Sequence, residues 1–396
     1  MNRNLERLNP YPFERLRELL RGVDPPADKE PIQLSIGEPA HATPSFIHQA
    51  LTQNLDGLNR YAGTRGTPEL RGAIRDWLVA RFELPDDSLY AEVNVLPVNG
   101  TREALFAIAQ AAVDSDAEPV VAMPNPFYQI YEGAALLAGA EPLYLNDWSW
   151  TDHVPDIDNV SADYWRRCQL VYICSPANPS GDVLSTSWLT RLIALADEYD
   201  FIIAADECYS ELFRDGAEPP PGLLSACRDL GRTDYRRCLV FHSLSKRSSA
   251  PGLRSGFVAG DAEILDAFLR YRTYHGCAMP LQTQAASQAA WNDEAHVRDN
   301  RRRYSEKFDA VTDALTPALY VTPPPGGFYL WPDIGDDDET FARECYRETG
   351  VSVLPGSYLS RDTTYGNPGQ GRVRIALVAE KDVCVEAAER IKQFLS

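Results

Sequence analysis

The 396-residue chain carries 38 basic and 57 acidic residues, a formal charge of −19 at pH 7. Such a surface repels phosphate backbones and anionic lipid, which argues against nucleic acid and membrane as partners. With 44% hydrophobic and 24% charged residues, the composition is that of an ordinary globular protein, and the length suits one large domain plus a smaller one.

Only five basic residues are lysines: Lys29, Lys246, Lys307, Lys381 and Lys392. An acidic, Arg-rich surface suits a salt-tolerant host, and Arg-favouring codons of a GC-rich genome account for it equally well. The eight Cys have no C-x-x-C spacing and mostly sit in apolar runs. That reads as reduced thiols of a cytoplasmic protein, not a disulfide framework or a zinc site. The N-terminus is charged every few residues, unlike a signal peptide. No apolar run approaches the roughly 18 residues of a spanning helix. A cytoplasmic protein without a bound metal is expected.

In chain order, apolar residues at 13, 16, 19 and 20 predict a helix over 12–21, an arm between Pro-rich stretches. Residues 31–36 alternate like a strand and end in the turn Gly37-Glu38-Pro39. Short apolar or β-branched runs follow at 95–98, 120–123, 170–174, 201–205, 238–242 and 256–259, with helical segments such as 103–113 and 187–199 between them. That alternation predicts a parallel sheet covered on both faces, with ligands at the rim formed by the strand C-termini. Beyond about 290 the pattern becomes a charged helix (296–315), a strand (327–331), a helix (340–349) and a strand (372–377). The expected fold is α/β: a large domain with a mostly parallel central sheet flanked by helices, plus a smaller α+β domain. The division is an arm that joins the small domain (1–45), a large domain (46–288) and a small C-terminal domain (289–396).

Three strand ends deliver polar residues to the expected rim: Asn178 after 170–174, Asp206 and Tyr209 after 201–205, and Ser243 and Lys246 after 238–242. Lys246 is the only Lys between 29 and 307. Burial and the nearby cations Arg247 and Arg254 would lower its pKa and free an amine able to attack an aldehyde; a surface Lys at a strand exit is the plainer alternative. Asp206 ends a buried strand and must be paired. A pyridinium nitrogen would serve, and so would a helix N-terminus or a salt bridge. Gly100-Thr101-Arg102 follows a strand and opens a helix, whose free amides suit a phosphate; an ordinary Thr cap fits too. Arg374 lies on the 372–377 strand, on the same face as Arg372. It could grip a carboxylate with two bonds or lie exposed. His242 and His275 read as structural.

Together these motifs resemble the fold-type I pyridoxal-phosphate enzymes of the class I/II aminotransferase group over nearly the whole chain. The resemblance rests on Ser243-x-x-Lys246 with Arg254 eight residues on, Asn178-Pro179-x-Gly181, Asp206-x-x-Tyr209 and Arg374, in that group's order and spacing. It implies pyridoxal 5'-phosphate as cofactor, carried by Lys246, which also moves the substrate proton. Asp206 would hold the ring nitrogen, and Asn178 and Tyr209 the ring's 3-oxygen. Tyr128 would stack on the ring. Gly100, Thr101, Arg102, Ser243 and Arg254 would hold the phosphate. Gly37, Asn178 and Arg374 would bind the substrate carboxylate. Tyr61 would reach the phosphate of a second copy, making a homodimer.

Stretches such as NPYPFERLRELL, LSIGEPAHATPSFI and SLSKRSSAPGLRSGFVAGD resemble N-succinyldiaminopimelate aminotransferases of bacterial lysine synthesis. That subgroup exchanges an amino group between N-succinyl-LL-2,6-diaminopimelate and 2-oxoglutarate. The chain departs from the pattern at Ser249-Ala250 and Ser180, none with a proposed role. A substrate with a carboxylate at each end needs a second anion site, for which Arg65 and Arg102 are the candidates. Competing expectations are a transaminase for acetylornithine, aspartate or aromatic amino acids, and a β-lyase. A ligand-sensing regulator on this scaffold fits badly, since the strand at 31–36 leaves no room for a preceding DNA-binding domain.

Overall fold

The computed structural model describes residues 1–146, 154–335 and 337–396. Its strands are β1 (Ile32–Gln33), β2 (Val95–Val98), β3 (Val120–Asn125), β4 (Glu141–Asn146), β5 (Cys168–Cys174), β6 (Ile202–Asp206), β7 (Cys238–Ser243), β8 (Gly256–Gly260), β9 (Tyr329–Leu330), β10 (Val351–Ser352), β11 (Leu354–Pro355) and β12 (Val373–Ala376).

Seven of them form one sheet in the order β2-β8-β7-β6-β5-β3-β4. The strands from β4 to β7 pair in parallel. Strand alternation feeds two cores on opposite faces. Val171, Ile173, Ile203 and Ala205 pack with the helices Pro68–Phe82, Thr186–Tyr199 and Leu281–Trp291. Leu170, Tyr172 and Ala204 pack with Thr101–Ala112, Gln129–Leu137 and Ala262–His275. Each fully buried Leu, Val or Ile contributes roughly 1.5–3 kcal/mol of transfer free energy, so double-sided burial dictates the unbroken apolar runs.

The sheet departs from the expected parallel arrangement at β8, which is antiparallel to both β7 and β2. The reason is local. Between β7 and β8 the chain forms only the four-residue helix Leu244–Arg247 and the 3-10 turn Pro251–Leu253. Neither can carry the chain back along the sheet as a parallel crossover requires, so it returns in reverse. The edge strand β4, absent from the sequence reading, is only half-buried and contains Pro142, as an edge tolerates.

Two small sheets follow. β1 pairs in parallel with β10, and β9, β12 and β11 form an antiparallel set. Of the expected strand at 31–36, only Ile32 and Gln33 pair as a strand. These sheets share a core with Ala295–Leu315, Asp338–Thr349 and Lys381–Leu395. The N-terminal helix Pro12–Leu19 inserts Leu16 among Trp331, Leu354, Tyr358 and Leu359.

Candidate functional site

β5, β6 and β7 end at one rim, tied by bonds from Ser175 N to Asp206 O (3.2 Å) and from Glu207 N to Phe241 O (3.0 Å). Over it lies a cavity of about 420 Å³. Lining it are Gly37, Thr101, Arg102, Tyr128, Asn178, Asp206, Tyr209, Ser243, Lys246, Arg254 and Arg374, all singled out from sequence.

Lys246 sits on the helix Leu244–Arg247, begun by Ser243, whose side chain accepts from Ser245 N. Asn300 closes its far end, donating to the Lys246 and Arg247 carbonyls at 3.1 and 3.3 Å. The Lys246 amine donates to Gly37 O and lies 5.2 Å from the centre of the Phe328 ring. Burial lowers its pKa from 10.5 to about 8. The Arg374 guanidinium adds to the shift, against the opposing influence of Cys208, Glu38 and Asp206. The cations expected to help were Arg247 and Arg254, and Arg374 stands in their place. Arg247 instead points away, buried against Trp77 and Trp291 and paired with Glu294.

Asp206, the last residue of β6, is 4% exposed. One carboxylate oxygen accepts from Tyr131 (2.7 Å), the other from Cys208 N (3.3 Å). Burial raises its pKa, and those bonds pull it back. Among the described residues no cation stands within ion-pair distance, and the chain after Asp206 turns without forming a helix, so neither a salt bridge nor a helix cap accounts for it. Tyr209 shares a hydrogen bond with Tyr329 (3.0 Å), and burial raises its pKa well above the ordinary value.

Gly100 precedes the helix Thr101–Ala112 with φ +88°, a conformation open to glycine at little cost. A Cβ there would stand 2.5 Å from Arg254 Nη2. Arg254 is held by the carbonyls of Pro251 (2.8 Å) and Asn99 (3.3 Å). Ser243 and Ser245 hydroxyls lie beside this corner, 2.9 Å apart. Free helix amides, hydroxyls and a guanidinium make a cradle for a phosphate.

Across the cavity, Arg374 on β12 donates to Asn178 Oδ1 (3.0 Å) and Ser35 O (2.8 Å), while its Nε is buried without a partner. It lies over the Tyr329 ring at 4.6 Å. Gly37 is needed because a Cβ there would overlap the Tyr329 hydroxyl. Arg372 reaches Trp331 O instead of the cavity.

Two sequence candidates lie elsewhere. Tyr61 is fully exposed and does not line its own chain's cavity. Arg65 bonds Glu92 O (2.6 Å) and pairs with Asp266 (3.7 Å). Sequence reasoning missed Tyr131, Tyr329, Cys208 and Tyr11, all but Tyr131 in the cavity wall. Tyr131 had a signal, lying three residues beyond Tyr128 near the start of Gln129–Leu137. Tyr329 had none short of knowing that β9 pairs with β12.

The profile of the family "Aminotransferase class I and II" matches residues 29–391. A solved aminotransferase from Neisseria meningitidis is 49% identical, superposes with a TM-score of 0.96 and covers all of both chains. An LL-diaminopimelate aminotransferase of Desulforudis audaxviator is 31% identical, over 99% of this chain and 97% of its own length. A Thermus thermophilus structure described as a probable N-succinyldiaminopimelate aminotransferase is 25% identical, with a TM-score of 0.82 over 96% of this chain and 99% of that one. The chain is therefore a member of the class I and II aminotransferases, enzymes that use pyridoxal 5'-phosphate to move amino groups between amino acids and keto acids.

Proposed function

We propose that this enzyme is a succinyldiaminopimelate transaminase, exchanging the amino group between N-succinyl-LL-2,6-diaminopimelate and 2-oxoglutarate as a cytoplasmic homodimer. The residues suit the cofactor on three counts. The Gly100 corner is a cradle that a Cβ would fill. Among the described residues Asp206 is a buried carboxylate with no cation at ion-pair distance, and burial lowers the pKa of the Lys246 amine to about 8.

Bound pyridoxal phosphate supplies an aldehyde for amines and a ring that accepts the electron pair left when a proton leaves the substrate α-carbon. The chain supplies the rest. Lys246 would anchor the cofactor, and its Nζ would take the α-proton of the amino donor and deliver one to the α-carbon of the new amino acid. Asp206 would hold the ring nitrogen, and Asn178 and Tyr209 the ring oxygen. Tyr128 would cover the ring face. Thr101, Ser243, Arg254 and the backbone at Gly100 and Arg102 would hold the phosphate, with Tyr61 from a second copy. Arg374 and Gly37 would orient the substrate carboxylate.

The observation that carries the substrate reading is the two cations that remain on the cavity once Lys246 and Arg254 are given to the cofactor. Arg374 stands on the small-domain wall, and Arg102 beside Tyr11, 5.5 Å from its ring centre. A substrate with a carboxylate at each end suits that pair; Arg65, turned to Glu92 and Asp266, does not contribute from the same chain. The name of the Desulforudis relative supports a second reading, unsuccinylated LL-diaminopimelate. Half-reactions followed by cofactor absorbance, with N-succinyl-LL-diaminopimelate, LL-diaminopimelate or N-acetylornithine, separate the readings. The succinyl compound is expected to react at least about tenfold faster, the scale of one well-placed charged contact. Equal or faster reaction with either other compound overturns the succinyl assignment and leaves the aminotransferase standing.

A further inference from the structure

The polar group that reaches Asp206 from behind the cavity is Tyr131. Its side chain is fully buried, and its hydroxyl donates to Asp206 Oδ2 at 2.7 Å. The ring cannot drift. It stacks on Tyr172 at 4.6 Å and 9°, and meets Tyr128 edge-on at 5.7 Å and 86°. Tyr172 is itself anchored through a bond to Leu105 O at 2.6 Å. A row of three tyrosine rings thus runs from the cavity wall to β5. Asp206 Oδ1 receives Cys208 N at 3.3 Å, so both carboxylate oxygens are fixed.

We propose that Tyr131 is a positioning residue for the cofactor: by donating to Asp206, it keeps that carboxylate anionic and aimed so that the proton resides on the ring nitrogen. This rests on the assignment of Asp206 to that nitrogen. The physical reason is the asymmetry of a buried carboxylate. Desolvation alone raises its affinity for a proton, and a carboxylate that captured the ring proton would leave a neutral pyridine, a poorer acceptor of electrons. A hydroxyl donor stabilises the anion and opposes that capture. Burial and the Asp206 charge hold the Tyr131 hydroxyl itself well above its ordinary pKa, so it remains a donor throughout the working range. The same segment carries Tyr128, so ring stacking and ring protonation are set by side chains one helical turn apart.

The test loads the holoprotein with pyridoxal phosphate labelled with 15N in the ring and follows the 15N shift against pH. Tyr131→Phe is expected to lower the pH at which the ring nitrogen loses its proton by about one unit, and to weaken cofactor retention on dialysis about tenfold, as loss of a hydrogen bond to a charged group does. No change in either readout overturns the proposal. Tyr172→Phe removes a hydroxyl from the same stack without touching Asp206 and is expected to leave the titration in place; an equal shift there makes the effect one of packing and also overturns it. If Tyr131→Phe does not fold, 3-fluorotyrosine at position 131, nearly the same shape and more acidic, is expected to raise the midpoint, and an unmoved midpoint overturns it. Asp206→Asn separates the two layers. If it leaves the titration intact, the assignment of Asp206 fails and takes this proposal with it. If it shifts the titration while Tyr131→Phe does not, only the role of Tyr131 falls.

Discussion

At the scale of single residues, the chemistry depends on taking water away from a few groups and giving each one partner. Burial brings the Lys246 amine down to about 8, with the Arg374 guanidinium adding to the shift. The sign has a direct consequence. The apo-protein should gain reactivity toward pyridoxal phosphate as pH rises towards about 8 and level off above it, because the neutral amine is the nucleophile; an ordinary lysine would keep gaining up to about 10.4. Stopped-flow absorbance across pH 6–10 checks this. Gly37→Ala should push Tyr329 away from Tyr209 and disturb the carboxylate site proposed at Arg374, which lies over the Tyr329 ring. The expected result is a KM raised about tenfold or more for amino and keto acids alike, with folding retained, as for a lost charge-assisted contact. Steady-state kinetics on both substrates measure it. Lys246, Asp206 and Arg374 were legible in the sequence because each is a polar residue at the end of, or within, an apolar strand. Tyr329 and Tyr131 were not, because nothing local distinguishes a tyrosine that bonds Tyr209 or Asp206 from one filling a core.

At the scale of elements, the proposed phosphate corner is built on the start of the helix Thr101–Ala112. Glu103 fixes that turn, accepting from Asn99 N at 2.9 Å and from Arg272 at 2.8 Å through both of its oxygens. Arg272 is fully buried. Glu103→Ala therefore leaves a buried guanidinium without its anion, and should cost about 3 kcal/mol of stability along with cofactor affinity. Thermal denaturation with and without pyridoxal phosphate reads both effects. The strand–helix alternation that positions this corner was plain at β2, β3, β5, β6 and β7, where double-sided burial leaves few polar residues to blur it. It failed at β8, where connection length decided strand direction, and at β4, where a half-buried edge with a proline carries little pattern.

At the scale of the molecule, the cavity draws on the N-terminal arm through Tyr11 and Phe13, on the large sheet's rim, and on β9 and β12. One assigned side chain stands apart: Tyr61 is fully exposed on its own chain. If it serves a second copy, Tyr61→Ala and Lys246→Ala subunits, each inactive alone, should complement when mixed and re-associated. Hybrids would hold one intact site, giving about a quarter of wild-type activity for random pairing into symmetric dimers. Activity that stays absent in a mixture shown to contain hybrids would confine Tyr61 to its own subunit or to no role. This arrangement was foreseen only by resemblance, since contacts across a symmetry axis leave no periodic trace in one chain.

The most direct test of the account asks where the cofactor is attached. Borohydride reduction of the cofactor-loaded protein, proteolysis and mass spectrometry should place the pyridoxyl group on Lys246 alone among the five lysines, and Lys246→Ala should show neither the label nor steady-state turnover. A label on Lys29, Lys307, Lys381 or Lys392 in its place, or turnover that survives Lys246→Ala, would contradict it.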